Sequence, residues 1–423
     1  MMRSFVKFLY EAAKHATTGH LEHAGDWLFG VKDQTSEEFN PLGAIDHIEK
    51  THQRFKGNPH EDHDLSLKVD GGMSIVLGKD HNDKHFVGYK TSADKIKFYN
   101  EKQIRQFAEQ ENKPYYNDLI HVLKRTKNMK NLQNGHAFQA DLVHNKDSDE
   151  HEEIVQPNAI KYRPPKGKKL TIAVHSQYEV HPETGMLRKT SNKPDLSQLE
   201  EKHTHAPSLG VHEGINLSMP KEGHEKMDYH TKQVKKYMDK DAIALVKNIH
   251  AAARGEGSGV AHPHFHAFLK HYSNNMARTT GTRSVESLKK HADKMRDKEL
   301  KDAQKEAVKK DKAFDPNSKK VQNINEKHRA FHDFIKKNQK SFNKVFQAHN
   351  HITQAKHTIL DNFRDHEHQF DIQTHGGEEH EGLVSVSGGT MAKLVREGPG
   401  GFPEKNVANA AIRFGTKSED EES

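Results

Sequence analysis

The spacing of apolar residues changes twice along this chain, and that change limits its possible folds more than any single motif. Up to about residue 222 the apolar residues come in short runs separated by turns. From about 223 to 365 they recur every three or four residues, and near residue 376 the short runs return. A period of two marks half-buried strands and a period of 3.6 marks helices, so the chain reads as strands, then helices, then strands again. Residues 65–69 alternate, Asp70-Gly71-Gly72 turns the chain, and residues 74–77 run back. Residues 86–90 follow the polar turn at His81-Asn82-Asp83, which predicts an antiparallel meander. Residues 101–130 have helical spacing at Ile104, Phe107, Leu119, Val122 and Leu123, and strands resume at 137–143, 159–162 and 170–174.

The helical block is clearest in Phe331, Ile335, Phe342, Val345, Ile352, Ile359 and Phe363, one long stripe that has to be buried. It is expected to pack on helices near 226–253 and 284–312 as an antiparallel bundle. Residues 382–386, a Gly388-Gly389 turn and residues 391–395 read as a last hairpin, too short to be a domain. The fold class that follows is α+β, with residues 1–222 as the N-terminal part of one domain and 223–372 as a large α-helical insertion. Residues 373–415 are a C-terminal hairpin completing the first sheet, and 416–423 a disordered acidic tail.

Composition narrows the setting. With 32% hydrophobic and 30% charged residues, much of the chain is expected to be solvated helix and loop. No run approaches the roughly 18 apolar residues of a membrane span, so no membrane partner is expected. The opening Ser4-Phe5-Val6-Lys7-Phe8-Leu9-Tyr10-Glu11-Ala12-Ala13 reads as a short amphipathic helix rather than a signal peptide. There is no cysteine, which excludes disulfides, thiolate catalysis and Cys-ligated zinc and favours a cytoplasmic location, in the host cytoplasm if the source is viral. The 35 histidines include His60-Glu61-Asp62-His63, His203-Thr204-His205 and His262-Pro263-His264-Phe265-His266. They share no repeated ligand spacing and are read as a compositional habit rather than a metal site. The net charge of +6 is uneven, with lysine and histidine concentrated in the middle third; that suits either a polyphosphate partner or a solubilised helical surface.

Lys68-Val69-Asp70-Gly71 places a lysine where a strand ends in a glycine-rich turn. A lysine attacks the α-phosphate of a nucleoside triphosphate only when it is uncharged, held in line and close to a metal ion that neutralises the phosphates. A glycine in the turn lets the backbone approach the ligand. No Gly-x-x-x-x-Gly-Lys-Ser/Thr loop and no Gly-x-Ser-x-Gly elbow is present, which argues against a P-loop ATPase and an α/β-hydrolase.

The set of motifs resembles the covalent nucleotidyltransferase superfamily of ATP-dependent DNA ligases, RNA ligases and messenger-RNA capping enzymes. Lys68 to Gly71 match its nucleophile motif, Lys-x-Asp-Gly, in full. Tyr89-Lys90-Thr91 resembles its next basic element, and Phe138-Gln139-Ala140-Asp141-Leu142-Val143 its acidic strand, with Asp141 where glutamate is usual. Ile172-Ala173-Val174-His175-Ser176 resembles the strand that ends in a purine-stacking aromatic, with His175 in its place. Glu381-Gly382-Leu383-Val384 matches Glu-Gly-x-Val, and Ala392-Lys393-Leu394-Val395 resembles the closing lysine strand, with Val395 at the second lysine. The resemblance covers roughly residues 60–180 and 375–400. The whole chain also resembles tailed-phage proteins that open with a Ser-Phe-x-x-Phe-Leu-like start and carry Thr-His-Leu-Glu-His, here offset as Thr18-Gly19-His20-Leu21-Glu22-His23.

The resemblance implies an antiparallel-sheet ligase-type nucleotidyltransferase domain, ATP-grasp-like, with ATP and Mg²⁺. Lys68, its pKa lowered by burial and neighbouring cations, would take AMP. Asp70 would orient the lysine or the metal, and Asp141 and Glu381 would hold ribose and metal. Lys90 and Lys393 would neutralise the phosphates, and Gly71 and His175 would line the nucleotide. The implied partner is nucleic acid, with RNA slightly favoured over nicked DNA, because Met73 stands where DNA ligases usually carry arginine and few residues follow Lys393. A catalytically silent phage interaction or structural protein and a capping-type guanylyltransferase are the alternatives. Oligomeric state stays open.

Overall fold

A computed structural model describes residues 24–29, 40–90, 96–145, 154–191, 193–211, 215–254, 261–278, 283–310, 313–376, 378–388 and 390–397. The expected N-terminal helix at 4–13, the Thr18–His23 motif, Thr91, Gly389 and the acidic tail lie outside these residues. The strands are β1 (His63–Lys68), β2 (Ser74–Lys79), β3 (His85–Tyr89), β4 (His136–Asn145), β5 (Tyr162–Arg163), β6 (Leu170–Val180), β7 (Leu187–Ser191), β8 (Thr204–His205), β9 (Gln373–Thr374), β10 (Gly382–Ser387) and β11 (Thr390–Val395). The helices are α1 (Gly43–Phe55), α2 (Glu101–Gln110), α3 (Asp118–Thr126), α4 (Lys221–Tyr237), α5 (Lys240–Ala253), α6 (Phe265–Arg278), α7 (Val285–Lys309), α8 (Lys319–Lys337) and α9 (Gln339–Phe363). The protein is thus mixed α+β, with antiparallel sheets and a curled half-barrel.

Two compact units divide the chain. The first holds Asp64–Asn216 and Phe363–Val384; the second holds Leu217–Asn362 with described residues before Asp64 and after Val384.

The first unit is built on a six-stranded sheet of order β3-β2-β4-β6-β7, with β8 alongside β6. Strand alternation gives this sheet two unlike faces. Ile75, Leu77, Val87, Phe138, Ala140, Leu142, Ile172 and Val174 point to one face and bury against Ile104 and Ala108 of α2 and Leu119, Val122 and Leu123 of α3. Asn100 caps α2 by accepting from the Gln103 amide. The other face carries a smaller apolar cluster of Val76, Phe86, Ala137, Tyr178, Val180 and Leu187.

The expected meander holds only for β2 and β3. β1 is not its first strand; β1 neighbours β10 in a separate three-stranded sheet with β11. The last hairpin therefore does not complete the six-stranded sheet. The cause lies in the turn after Lys68. The Gly72 amide donates to the Leu142 carbonyl and the Leu142 amide to Met73, so the chain leaving the turn binds β4 instead of folding back on β1. The strand expected at 159–162 shrinks to β5, paired with β9, because the amides of Ala159 and Ile160 donate to the Asp70 carboxylate.

In the second unit the apolar stripe is buried as expected, but on two helices that meet at Asn338. Its phenylalanines pack on α6, which the apolar spacing had not singled out: Phe331 meets Phe265 and Phe268, and Phe334 meets Phe265. A Ser284–Ser287 capping box starts α7. Glu397, after β11, is buried against Arg283 and Lys356. Among the described residues no helix is long and apolar enough to cross a membrane.

Candidate functional site

The site begins with two strand ends. Lys68 closes β1, in which Leu65 and Leu67 face inward and leave the alternate positions Ser66 and Lys68 on the opposite side. Glu381 immediately precedes β10, and Gly382 follows it with φ 146°, a conformation open to glycine. The Lys68 ammonium donates to Glu381 Oε2 at 2.5 Å, and only 18% and 7% of the two side chains are exposed. Burial alone would push the lysine down. The carboxylates of Glu381, Asp141 and Asp70 outweigh it and hold Lys68 above the ordinary lysine range. The expected depression of Lys68 by burial and nearby cations is therefore corrected: in the free protein this lysine is a cation with a counter-ion.

Asp141 comes from the middle of the six-stranded sheet, opposite Ser74 on β2 and Ala173 on β6. His175 reaches it through an irregularity in pairing. Gln139 pairs with Ser176 while Ala140 pairs with Val174, so His175 is the extra residue of a bulge. Bulges re-aim side chains, and this one brings His175 Nε2 to 2.9 Å from Asp141 Oδ2. Although burial pushes the Asp141 carboxyl up, His175 and the Lys68 charge hold it far below the usual carboxylate range. Lys90, one residue past β3, donates its amide to the Ser74 carbonyl and so stands at the same end of the sheet. Burial lowers Lys90, Asp141 opposes this, and Lys68 adds to the lowering. Gly71 passes directly over Asp141; a Cβ built there would lie 2.4 Å from the Asp141 Cβ.

Asp70 acts as a latch. One carboxylate oxygen accepts from Asn158 Nδ2 at 2.6 Å, and the other from the amides of Ala159 and Ile160. Burial pushes Asp70 up against these hydrogen bonds. The Asp70 amide in turn donates to the Tyr162 hydroxyl at 2.8 Å. The Tyr162 ring lies 5.8 Å from that of His380, the residue before Glu381. Tyr162 thus links the turn after Lys68 to the approach to Glu381. Motif reading missed Asn158 and Tyr162; the apolar spacing around Tyr162 signalled a strand but no polar duty.

Lys68, Asp70, Gly71, Lys90, Asp141, His175 and Glu381 all fall in the first unit, and Lys393, on β11, falls in the second. Asp141 and Glu381, two of the three carboxylates that act on Lys68, are hard oxygen donors. Mg²⁺ is commonly held by one or two carboxylates plus substrate phosphates, so this donor set fits that ion. Among the described residues no three His, Asp or Glu side chains are grouped to enclose a metal alone.

As a class, this is a mixed α+β protein with a charged lysine at a strand end, paired with Glu381 and acted on by Asp141 of β4. The chain belongs to the family described as a family of unknown function (DUF6267), whose model matches residues 18–408. No curated protein and no solved structure matches it.

Proposed function

We propose that this chain is a covalent nucleotidyltransferase of the polynucleotide-ligase type, with a ligase-type nucleotide domain whose Lys68 takes AMP from ATP. One observation carries the reading: the lysine of the Lys-x-Asp-Gly string and the glutamate of the Glu-Gly-x-Val string meet at 2.5 Å. An ion pair between these two strings is the juxtaposition that one shared site requires.

In the reaction, Lys68 Nζ attacks the α-phosphorus, an N–P bond forms, and the P–O bond to the β-phosphate breaks, with pyrophosphate leaving with the electron pair. The ammonium loses one proton before attack and a second as the phosphoramidate forms; Glu381, at hydrogen-bond distance, is positioned to accept the first. Bound Mg²⁺, held by Asp141 and Glu381, would neutralise the phosphates and the carboxylates that keep Lys68 charged. Lys90 sits near Asp141 to oppose charge on the transferring phosphate. Asp70 keeps the turn fixed, and in this reading AMP then passes to a 5′-phosphate; a 3′-hydroxyl attacks that phosphate, the P–O bond to AMP breaks, and AMP leaves. The lysine-rich helices α7 and α8 are proposed to hold the strand.

Incubation with α-labelled ATP and Mg²⁺ should attach one AMP per chain, and Lys68→Ala should abolish it. Labelling by GTP alone would instead indicate a capping-type enzyme. The rival reading, a catalytically silent interaction or phage structural protein, draws support from His175, whose ring binds Asp141 where a stacking aromatic is usual; no labelling by any of the four triphosphates would favour it. Sealing of nicked RNA against nicked DNA decides the acceptor.

A further inference from the structure

Helix α7 sorts its charges by side. Lys290, Lys294, Lys298, Lys301, Lys305 and Lys309 follow one another in steps of four, four, three, four and four residues. At about 100° per residue, these steps keep all six within an arc of about 100° on the helix surface. All six are exposed. The carboxylates of the helix, Glu286, Asp293, Asp297, Glu299, Asp302 and Glu306, fall outside that arc.

The neighbouring helix takes up the acidic side. Asp293 meets His332 at 3.0 Å, Glu299 meets Lys327 at 2.6 Å, and Glu306 meets Lys320, all three partners being on α8. These three positions centre about opposite the lysine arc. On the arc, Lys290 pairs with Glu286 one turn back. Among the described residues, Lys294, Lys298, Lys301, Lys305 and Lys309 form no ion pair.

The chemistry of the partner follows from what the helix offers. A membrane-surface helix presents a free apolar face to the lipid, but here Val285, Leu288, Ala292 and Ala303 are buried. Among the described residues, Val308 is the one exposed large hydrophobic of this helix. A protein interface is depleted in lysine and built on aromatic anchors, and the arc has no aromatic anchor. Lysines in a row suit a partner whose negative charges also stand in a row. From Lys290 to Lys309 the arc runs about 28 Å at 1.5 Å per residue, the length of about eight phosphates of one strand of a duplex.

We propose that this arc of α7 seats the phosphate backbone of a nucleic-acid duplex, the nicked acceptor of the reaction above. The assignment rests on the nucleotidyltransferase reading and narrows its strand-binding surface to one side of one helix. Phosphate contacts carry no base information, so the surface holds duplexes regardless of sequence. Each engaged ammonium displaces condensed counter-ions, and affinity therefore falls steeply with salt.

The test is fluorescence anisotropy of the full chain with a fluorescein-labelled nicked DNA duplex of about 24 base pairs, without ATP, over about 50 to 200 mM salt. The wild type should bind two duplexes of unrelated sequence alike, with log K falling linearly as log salt rises. A variant with Lys294, Lys298, Lys301, Lys305 and Lys309 all changed to glutamine should bind at least about tenfold more weakly at the lowest salt, and its slope should shrink by about 4. Glutamine matches lysine as a helix former, and the same five changed to arginine should restore affinity and slope. A control removes equal charge by changing Lys226, Lys232, Lys240, Lys247 and Lys336, exposed lysines of α4, α5 and α8, to glutamine, and should keep the wild-type slope. Equal weakening in the arc and control variants, no binding by the wild type, or a preference for phosphatidylserine vesicles or polyglutamate over the duplex overturns the docking surface. Labelling of Lys68 by α-labelled ATP is read in parallel, without duplex. Labelling with an unchanged duplex slope in the arc variant rejects the arc alone, and no labelling by any nucleotide rejects the reading beneath it.

Discussion

Lys68 and Glu381 are 313 positions apart in sequence and 2.5 Å apart in the fold. Glu381→Gln leaves a mostly buried ammonium with weaker partners and should cost about 2–3 kcal/mol in urea unfolding. Lys68→Met and Glu381→Gln combined should cost less than the sum of the two single changes. Because Lys68 is raised above 10.5, the pair's contribution is complete below that pH and fades as pH climbs through the folded value. The Glu381→Gln variant should lose this alkaline sensitivity. A wild-type urea midpoint in the variant would rule out the pair as a tie between the segments.

Gly71 tests how closely the turn after Lys68 lies on Asp141. An alanine Cβ would meet the Asp141 Cβ at 2.4 Å and its carbonyl carbon at 3.1 Å, and neither is the end of a flexible side chain. Gly71→Ala should destabilise by about 1–3 kcal/mol and depress labelling of Lys68 more than Gly210→Ala, at a glycine outside the positive-φ region with nothing within 4 Å. Equal labelling of the two variants would refute the close-approach argument.

Glu367 offers a pH test beside the site. Burial pushes its carboxyl up to about 7, against the His380 amide and the Arg364 charge. A carboxyl raised from 4.5 favours the folded state only while protonated, so its ionisation costs stability as pH rises from 4.5 through 7. After allowance for its partial exposure, Glu367→Gln should stabilise the protein by about 1–2 kcal/mol at alkaline pH and have little effect at acid pH. Denaturant titrations at the two extremes check the sign.

The second unit should be acid-sensitive. His52 Nε2 and His224 Nδ1 lie 2.8 Å apart, His230 Nδ1 and His351 Nδ1 2.9 Å, and His271 Nδ1 and His291 Nε2 2.9 Å. Each contact joins two helices, and each needs one bare ring nitrogen. Burial first, then neighbouring positive charge, lowers His52 and His291 from 6.5 to about 4. A lowered histidine stabilises above 6.5, and that stability drains away as pH falls from 6.5 toward 4. The melting temperature should drop by several degrees across this range, and replacing His52 and His291 with glutamine should flatten the drop.

Period and composition revealed the helical block, β2, β3, β4, β6 and the last hairpin, because each keeps its own apolar spacing. Pairing was not legible. Nothing in residues 65–77 says that Gly72 bonds to Leu142, and that contact sends β1 to another sheet. Motif order named Lys68 and Glu381 correctly as neighbours. The charge state of Lys68 was misjudged because Glu381 and Asp141, whose carboxylates outweigh its burial together with Asp70, arrive from distant parts of the sequence. His175 could be placed on its strand, but not as a bulge, since a bulge is a property of two strands. Tyr162 went unnoticed because its partners, the Asp70 amide and the His380 ring, come from a turn and from a segment far along the chain.

The distance in sequence between the two ends of the Lys68–Glu381 pair has a consequence during synthesis. A ribosome releases the lysine more than three hundred codons before the glutamate. Throughout that interval the ammonium has no such counter-ion, and β1 lacks the strand that neighbours it in the finished fold. Closure of so long a loop is a late event in folding, so a nascent chain that stalls anywhere upstream of the glutamate leaves the ribosome without the partner of its buried lysine.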